Sequence, residues 1–186
     1  MKLASVLAGE KGSIIVEAAF IFSFLSILTV AIIEYGSWLA LKSQVERVNY
    51  SIASVIRERG QLYGQREAFS DKDVNEIYEL AKSLTLHRYD SQLCVRVEAI
   101  HFSPSSHKTI INQQKLDYGS GLCHSLSIPA LKNKSQFSPF STRSRWLPLY
   151  QVSLILPAPK GALNKLLQGV DLLPEYVSAH TILLVR

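Results

Sequence analysis

Three residues near the N-terminus, Gly12, Ser13 and Glu17, could take part in a proteolytic cut and an ion pair. Glu17 is a carboxylate in an apolar run, and a lone carboxylate inside a membrane helix costs on the order of 2.5–3.5 kcal/mol on insertion scales. Cleavage between Gly12 and Ser13 would create an ammonium group four residues before Glu17, on the same helix face. The spacing therefore predicts a pair between the new N-terminus and Glu17 of its own chain or of a neighbour. The alternative is a Glu17 at the headgroup level of an ordinary signal anchor.

The rest of the chain offers little for catalysis or cofactor binding. It has neither a G-x-S-x-G elbow nor a phosphate-binding glycine motif. Carboxylates are few after residue 90, so a paired acid–base site is poorly supplied. We therefore expect a non-enzymatic protein without a cofactor or a bound metal. The five histidines are scattered: His87, His101, His107, His124 and His180.

The two cysteines, Cys94 and Cys123, predict one disulfide if this part of the chain lies outside the cytoplasm. The bond would close a loop of roughly 30 residues and contribute about 3–4 kcal/mol in the chain-entropy model. A zinc site is the competing interpretation, because histidines are available. The sequence lacks C-x-x-C and H-x-x-x-H spacings, which makes structural zinc the weaker interpretation.

The element that positions Glu17 is a long helix. No charge occurs between Ala18 and Ile33, and residues 14–41 are long enough to cross a hydrocarbon core of about 30 Å as a helix. Glu34 is expected at the far membrane boundary, beside the aromatic residues Tyr35 and Trp38. Apolar residues then recur at three- and four-residue steps, so one helix is predicted from Ser13 to about Arg59, with Gly60 as its stop. This second apolar stripe consists of Val45, Val48, Ile52, Val55 and Ile56.

The remaining pattern predicts an α+β fold, in which a small antiparallel sheet packs on the second half of the long helix. Helices are expected at about 71–86, capped by Ser70, and at 162–168. Strands are expected at about 92–102, 108–113, 149–156 and 176–185, with a loop at Tyr118–Gly121 and irregular structure over 129–145. The predicted organisation is a leader (1–12), a helix (13–60, with a membrane segment of about 14–41) and an extracytoplasmic domain (61–186).

A basic aromatic interval, residues 132–150, contains Lys132, Lys134, Arg143, Arg145 and Trp146. The formal net charge of the chain is +5, and no acidic residue lies between Asp117 and Asp171. Such an interval could hold an anionic partner, such as an acidic glycan or phosphate headgroups, with nucleic acid the less expected ligand. The simpler interpretation is a solvated basic loop whose aromatic residues anchor it to the core.

The segment K-G-S-I-I-V-E-A-A-F resembles a type IV prepilin signal, with glycine at the cut and glutamate five residues later. Together with R-E-R-G-Q-L-Y at 57–63 and R-E-A-F at 66–69, it makes the first 70 or so residues similar to the TadE/TadF minor pilins (pseudopilins), TadF more closely. These belong to the tight-adherence (Flp type IVb) pilus system. The chain departs from the major Flp pilins, because Ala18 replaces their tyrosine after the glutamate and a large domain follows the helix.

The resemblance implies that a prepilin peptidase cuts between Gly12 and Ser13 and that Glu17 recruits the subunit into the assembly. It also implies a single-pass protein of the bacterial inner membrane, with a periplasmic C-terminal domain and a role in pili used for adherence and biofilm formation. The implied partners are the peptidase, other Tad pilins and pseudopilins, the inner-membrane assembly platform and membrane lipid. The alternatives are a signal-anchored periplasmic module that binds an anionic ligand through residues 132–150, and an uncleaved anchored protein of unrelated function.

Overall fold

The computed structural model describes residues 10–58, 68–105, 107–121, 123, 128–142 and 144–184, with the backbone alone for 10–13. The chain forms two compact units. The first combines Met1–Leu39 with Pro159–Leu173, and the second combines Ala40–Ala158 with Pro174–Arg186. Each unit therefore takes residues from two distant parts of the chain.

Helix α1 spans Glu10–Arg57 without interruption, which confirms the prediction of one long helix. It ends two residues before the predicted Arg59, and the predicted stop at Gly60 lies outside the described residues. Within the second unit, the predicted apolar stripe is buried except for Val55, which is half-buried. The stripe also includes Leu41, so the amphipathic half of α1 supplies one side of the core.

The second unit is built on a four-stranded antiparallel sheet with the strand order β2-β1-β3-β4. Together with α1 this is the predicted α+β fold. Hydrogen bonding between side chains ties the two layers, because Asn49 Nδ2 on α1 donates to Thr181 Oγ1 at 2.7 Å. The strands are β1 (Cys94–Phe102), β2 (Ile110–Gly119), β3 (Leu149–Pro157) and β4 (Tyr176–Leu184).

Strand β1 is buried along its whole length, because both faces of the sheet are covered at its centre. On one face, α2 (Asp71–Leu84) contacts β1 and β2. On the other face lies a 3₁₀ helix, Leu131–Phe137. Its first backbone N–H, at Leu131, donates to the buried Glu98 carboxylate at 2.8 Å. The residues of β1 alternate between the two faces of the sheet, and both faces are covered.

Helix α2 begins as predicted. Ser70 accepts from the backbone N–H of Asp73, and Asp73 accepts in return from that of Ser70, at 3.3 and 2.9 Å. The helix ends at Leu84 and not at the predicted residue 86. The reason is local backbone geometry, since Leu86 and His87 have φ angles of 54° and 56°, which an α-helix cannot continue.

Two predictions on the second unit were wrong in extent. Strand β2 runs to Gly119, not to residue 113, so Tyr118 and Gly119 belong to the strand and not to a loop. Strand β2 lies at the sheet edge and is largely exposed. Its many polar side chains do not form the alternating apolar pattern from which a strand is predicted. The interval 129–145, predicted to be irregular, contains the 3₁₀ helix.

Candidate functional site

The apolar half of α1 is the most unusual surface of the first unit. Among the described residues, α1 is the one helix long and apolar enough to cross a membrane, and its most apolar window has a mean hydropathy of 2.3. Its large side chains point away from the unit, as shown by Phe20, Phe24 and Ile27, which are 73%, 67% and 68% exposed. A surface of this kind is stable in lipid or against other apolar helices.

Two hydroxyl groups within this half are hydrogen-bonded to the helix backbone. Ser26 Oγ donates to the Phe22 carbonyl oxygen, and Thr29 Oγ1 donates to that of Leu25, both at 2.8 Å. These hydroxyl groups therefore place no unpaired donor in an apolar environment. The Glu17 carboxylate is exposed in the same half.

The predicted processing residues lie at the start of α1. Gly12 and Ser13 are in its first turn, and Glu17 follows one turn later. The backbone is helical throughout, so residues 13 and 17 are stacked along one face. An ammonium group at Ser13 would therefore be within reach of the Glu17 side chain.

Glu34, which was expected only to lie at the membrane boundary, binds the N-terminus of a second helix in the same unit. This helix, α3, spans Ala162–Gly169. The carboxylate accepts from the backbone N–H groups of Ala162 and Asn164 at 3.1 and 2.9 Å. Unpaired N–H groups and the helix dipole both favour a negative charge there. A side chain at Gly161, the N-cap residue, would collide with the Glu34 carboxylate.

The described residues of the basic aromatic interval lie on two elements, the 3₁₀ helix and the loop that follows it. Lys132 and Lys134 lie on the 3₁₀ helix, where the Lys134 ammonium is 6.0 Å from the centroid of the Phe137 ring. Arg145 is exposed on the following loop, and Arg143 lies outside the described residues.

Trp146 is half-buried and packs against neighbouring side chains. Phe140 packs against it edge to face, with ring centroids 5.0 Å apart. The Lys108 ammonium lies 4.6 Å from the Trp146 centroid and donates to the Ser138 carbonyl oxygen at 2.8 Å. Burial lowers the pKa of Lys108. These contacts favour the anchoring interpretation over a stacking platform.

The disulfide Cys94–Cys123 is present, with a Cα–Cα distance of 5.6 Å. It joins β1 to the segment beyond β2, and both residues are buried. Arg96 reinforces the junction, since its guanidinium donates to the Asp117 carboxylate at 2.5 and 3.0 Å and to the Cys123 carbonyl oxygen. The sequence pattern missed this buried pair, although Arg96 and Asp117 are direct partners across the hairpin.

His180 on β4 faces the same network. Its Nδ1 is 2.9 Å from Ser153 Oγ. Partial burial of the imidazole, and secondarily the positive charge of Arg96, lower the pKa of His180 below its ordinary value, although the residue as a whole is exposed. The imidazole is therefore neutral near pH 7.

The lowered pKa of His180 predicts that the free energy of unfolding depends on pH. The unfolded chain, with a His pKa of about 6.5, binds more protons than the folded chain as pH falls below that value. The stabilisation associated with neutral His180 is therefore fully present above about pH 6.5. It is lost as the pH falls towards the lower pKa of His180 in the folded chain. We expect His180→Gln to flatten the fall in urea midpoint between pH 7.5 and 5.5. His107→Gln, at an exposed hairpin position, serves as the control. An unchanged pH profile for His180→Gln would refute the assignment.

Grooves in the second unit follow β4. One of about 560 Å³ is lined by Tyr50 and Arg57 of α1, by Arg145 and by residues 181–184. Another lies beside residues 178–181. No three metal-ligating side chains cluster anywhere in the described part of the chain. The first groove combines arginine with apolar surface, and the second also contains Glu46 and His180.

A sequence model of the family TadF, described as "Putative tight adherence pilin protein F", matches residues 6–186. Searches among curated proteins and among solved structures gave no significant match. The family match extends far beyond the first 70 or so residues that suggested TadE/TadF, and it includes the whole second unit. An apolar α1 that continues into a small α+β unit suits a membrane-anchored pilin that interacts with other Tad pilus components. The chain belongs to the TadF family of tight adherence pilin proteins.

Proposed function

We propose that this TadF-family chain is a minor structural subunit required for assembly of a tight-adherence pilus, which serves adherence and biofilm formation. The observation that carries the proposal is the first half of α1, which exposes large apolar side chains such as Phe20 and Phe24. That surface requires lipid before assembly and the helices of neighbouring subunits afterwards. The partners are other Tad pilins and the inner-membrane assembly platform.

We further propose that a prepilin peptidase cuts the chain between Gly12 and Ser13. The support is positional, because the bond lies at the start of α1, directly ahead of the apolar half. The cut frees the ammonium group of Ser13 one turn before the exposed Glu17. Pairing with this group, in the same chain or in a neighbour, neutralises a carboxylate that would otherwise enter an apolar environment alone.

In this proposal, the second unit lies on the periplasmic side of the inner membrane. The Cys94–Cys123 disulfide supports this orientation, since disulfides persist in oxidising compartments. Lys2 and Lys11, before the apolar half, fit a leader that stays in the cytoplasm.

The role of Glu17 can be tested in a strain that lacks this chain. We expect no pili in that strain, pili after complementation with the wild type, and about tenfold fewer or less with Glu17→Gln. The neutral amide cannot pair with the Ser13 ammonium, an unpaired charge in the membrane costs about 2.5 kcal/mol or more, and each 1.4 kcal/mol is about tenfold. Pili are counted by electron microscopy, and membrane blots show whether the variant is made and cut.

Glu10→Gln is the matched control, because it removes a carboxylate from the leader that the mature subunit no longer carries. Normal piliation without the chain would contradict the assembly role itself. Full complementation by Glu17→Gln would contradict the proposed pairing and leave the assembly role standing.

A further inference from the structure

We propose that α3 is an interfacial helix, whose apolar face lies in the outer boundary of the bilayer that α1 crosses. The proposal rests on α1 spanning a membrane. The partner is the lipid surface itself, and Glu34 is the residue that holds α3 at this depth.

The position of Glu34 sets the depth. It lies 20 residues after Ile14 (34 − 14), which is about 30 Å along a helix at 1.5 Å per residue. The hydrocarbon core is also about 30 Å thick. When Ile14 lies at one boundary, Glu34 therefore lies at the other. Tyr35 and Trp38, which stack with ring centroids 6.2 Å apart, follow at the level where such side chains are enriched.

The hydrogen bonds to Glu34 fix α3 at the same level. Both carboxylate oxygens accept from the first turn of α3, at Ala162 and Asn164. The side chain of Asn164 is buried, so this turn faces the unit. Gly161 allows the close approach, since any larger residue would meet the carboxylate. The contact leaves the opposite face of α3 free.

Three large apolar side chains on α3 and in the turn after it are exposed. Leu166, Val170 and Leu172 are 63%, 58% and 69% exposed. Val170 and Leu172 lie in the turn that follows α3, where the Leu172 N–H donates to the Leu167 carbonyl oxygen at 2.9 Å. Exposure of three large apolar side chains to water on so short a segment is unfavourable, and such surfaces mark membrane or protein interaction sites.

The polar residues around this face fit a phospholipid boundary. Lys160 and Lys165 are exposed on the same segment, and lysine side chains can extend their ammonium groups to lipid phosphates while their stems stay in apolar surroundings. Asp171 is the one acidic residue between Pro159 and Leu173. The exposed apolar residues of α3 and those of the first half of α1 belong to the same unit.

A fluorescent label at position 166 tests the proposal on the full chain. Both native cysteines are joined in the disulfide, so Leu166→Cys introduces a single reactive thiol. The labelled chain is placed in vesicles of phosphatidylcholine and phosphatidylglycerol. We expect blue-shifted emission, quenching by a lipid nitroxide near the headgroup and protection from aqueous iodide. Ile111→Cys, on β2 and 64% exposed, is the control expected to be open to iodide.

Ile27→Cys separates this proposal from the one it rests on. A label there should be quenched by a nitroxide deep in the acyl chains if α1 spans the bilayer. If position 27 is quenched in this way but position 166 behaves like position 111, the inference about α3 is overturned and the span stands. If position 27 is itself open to iodide, the span and the inference both fail.

Two further outcomes are decisive. Adding Glu34→Ala to Leu166→Cys removes both hydrogen-bond acceptors, and we expect position 166 to become more accessible to iodide; unchanged protection would overturn the role of Glu34. Protection of position 166 that appears only at high protein-to-lipid ratios would show that another subunit covers α3, and would overturn the lipid assignment.

Discussion

Gly12→Val is expected to leave the whole population of the chain uncut when a cognate prepilin peptidase is present. Valine places a branched side chain next to the bond to be cut, where the proposed cleavage site has glycine. The uncut chain also has no ammonium group at Ser13, so Glu17 loses its proposed partner and assembly should fail with processing. The measurement is the intact mass and N-terminal residue of the chain recovered from membranes.

Gly9→Val is the matched control, because it makes the same substitution in the same leader, three residues earlier. It should be cut like the wild type. Conversion of Gly12→Val at the wild-type rate would contradict the cleavage site. A wild-type chain that retains Met1 in the presence of the peptidase would contradict processing altogether.

Removal of the disulfide has the second largest expected effect. The Cys94→Ala, Cys123→Ala double variant opens a loop with a sequence separation of 29, which should lower the free energy of unfolding by about 3–4 kcal/mol in the chain-entropy model. Loss of two buried sulfur atoms adds to this destabilisation. Urea unfolding of the full chain in detergent micelles, followed by tryptophan fluorescence, measures the change.

Reduced wild-type protein is the control for the cross-link alone, since it keeps both side chains. Alkylation of intact cells before and after reduction shows whether the bond forms in the cell. A double variant within about 1 kcal/mol of the wild type would contradict the estimate, which depends on loop length. Freely alkylated cysteines in cells would contradict the periplasmic orientation.

Features with a local or periodic signal could be predicted from the sequence. The length of α1 follows from an uninterrupted apolar run joined to a helical stripe, and the start of α2 follows from the reciprocal spacing of Ser70 and Asp73. The pairing of Cys94 with Cys123 could be predicted because the chain has two cysteines and the domain was expected outside the cytoplasm. The processing motif could be placed on α1 for the same reason, because it is contiguous.

Features that depend on distant residues could not be predicted. Glu34 and Asn164 are 130 positions apart, and nothing in the spacing around either residue indicates the contact. The Arg96–Asp117 pair required the hairpin register, which the polar sequence of β2 concealed. The 3₁₀ helix has few residues and no apolar stripe, so its sequence resembles a loop.

The contact between Glu34 and α3 has a consequence for biogenesis. A chain exported from an N-terminal anchor delivers Glu34 to the membrane early, but Asn164 arrives only after β1, β2 and β3 have followed. The Cys94–Cys123 bond can form before that point, because both cysteines precede α3. If the second unit is exported as proposed, the disulfide can therefore form before the contact between Glu34 and α3 completes the first unit.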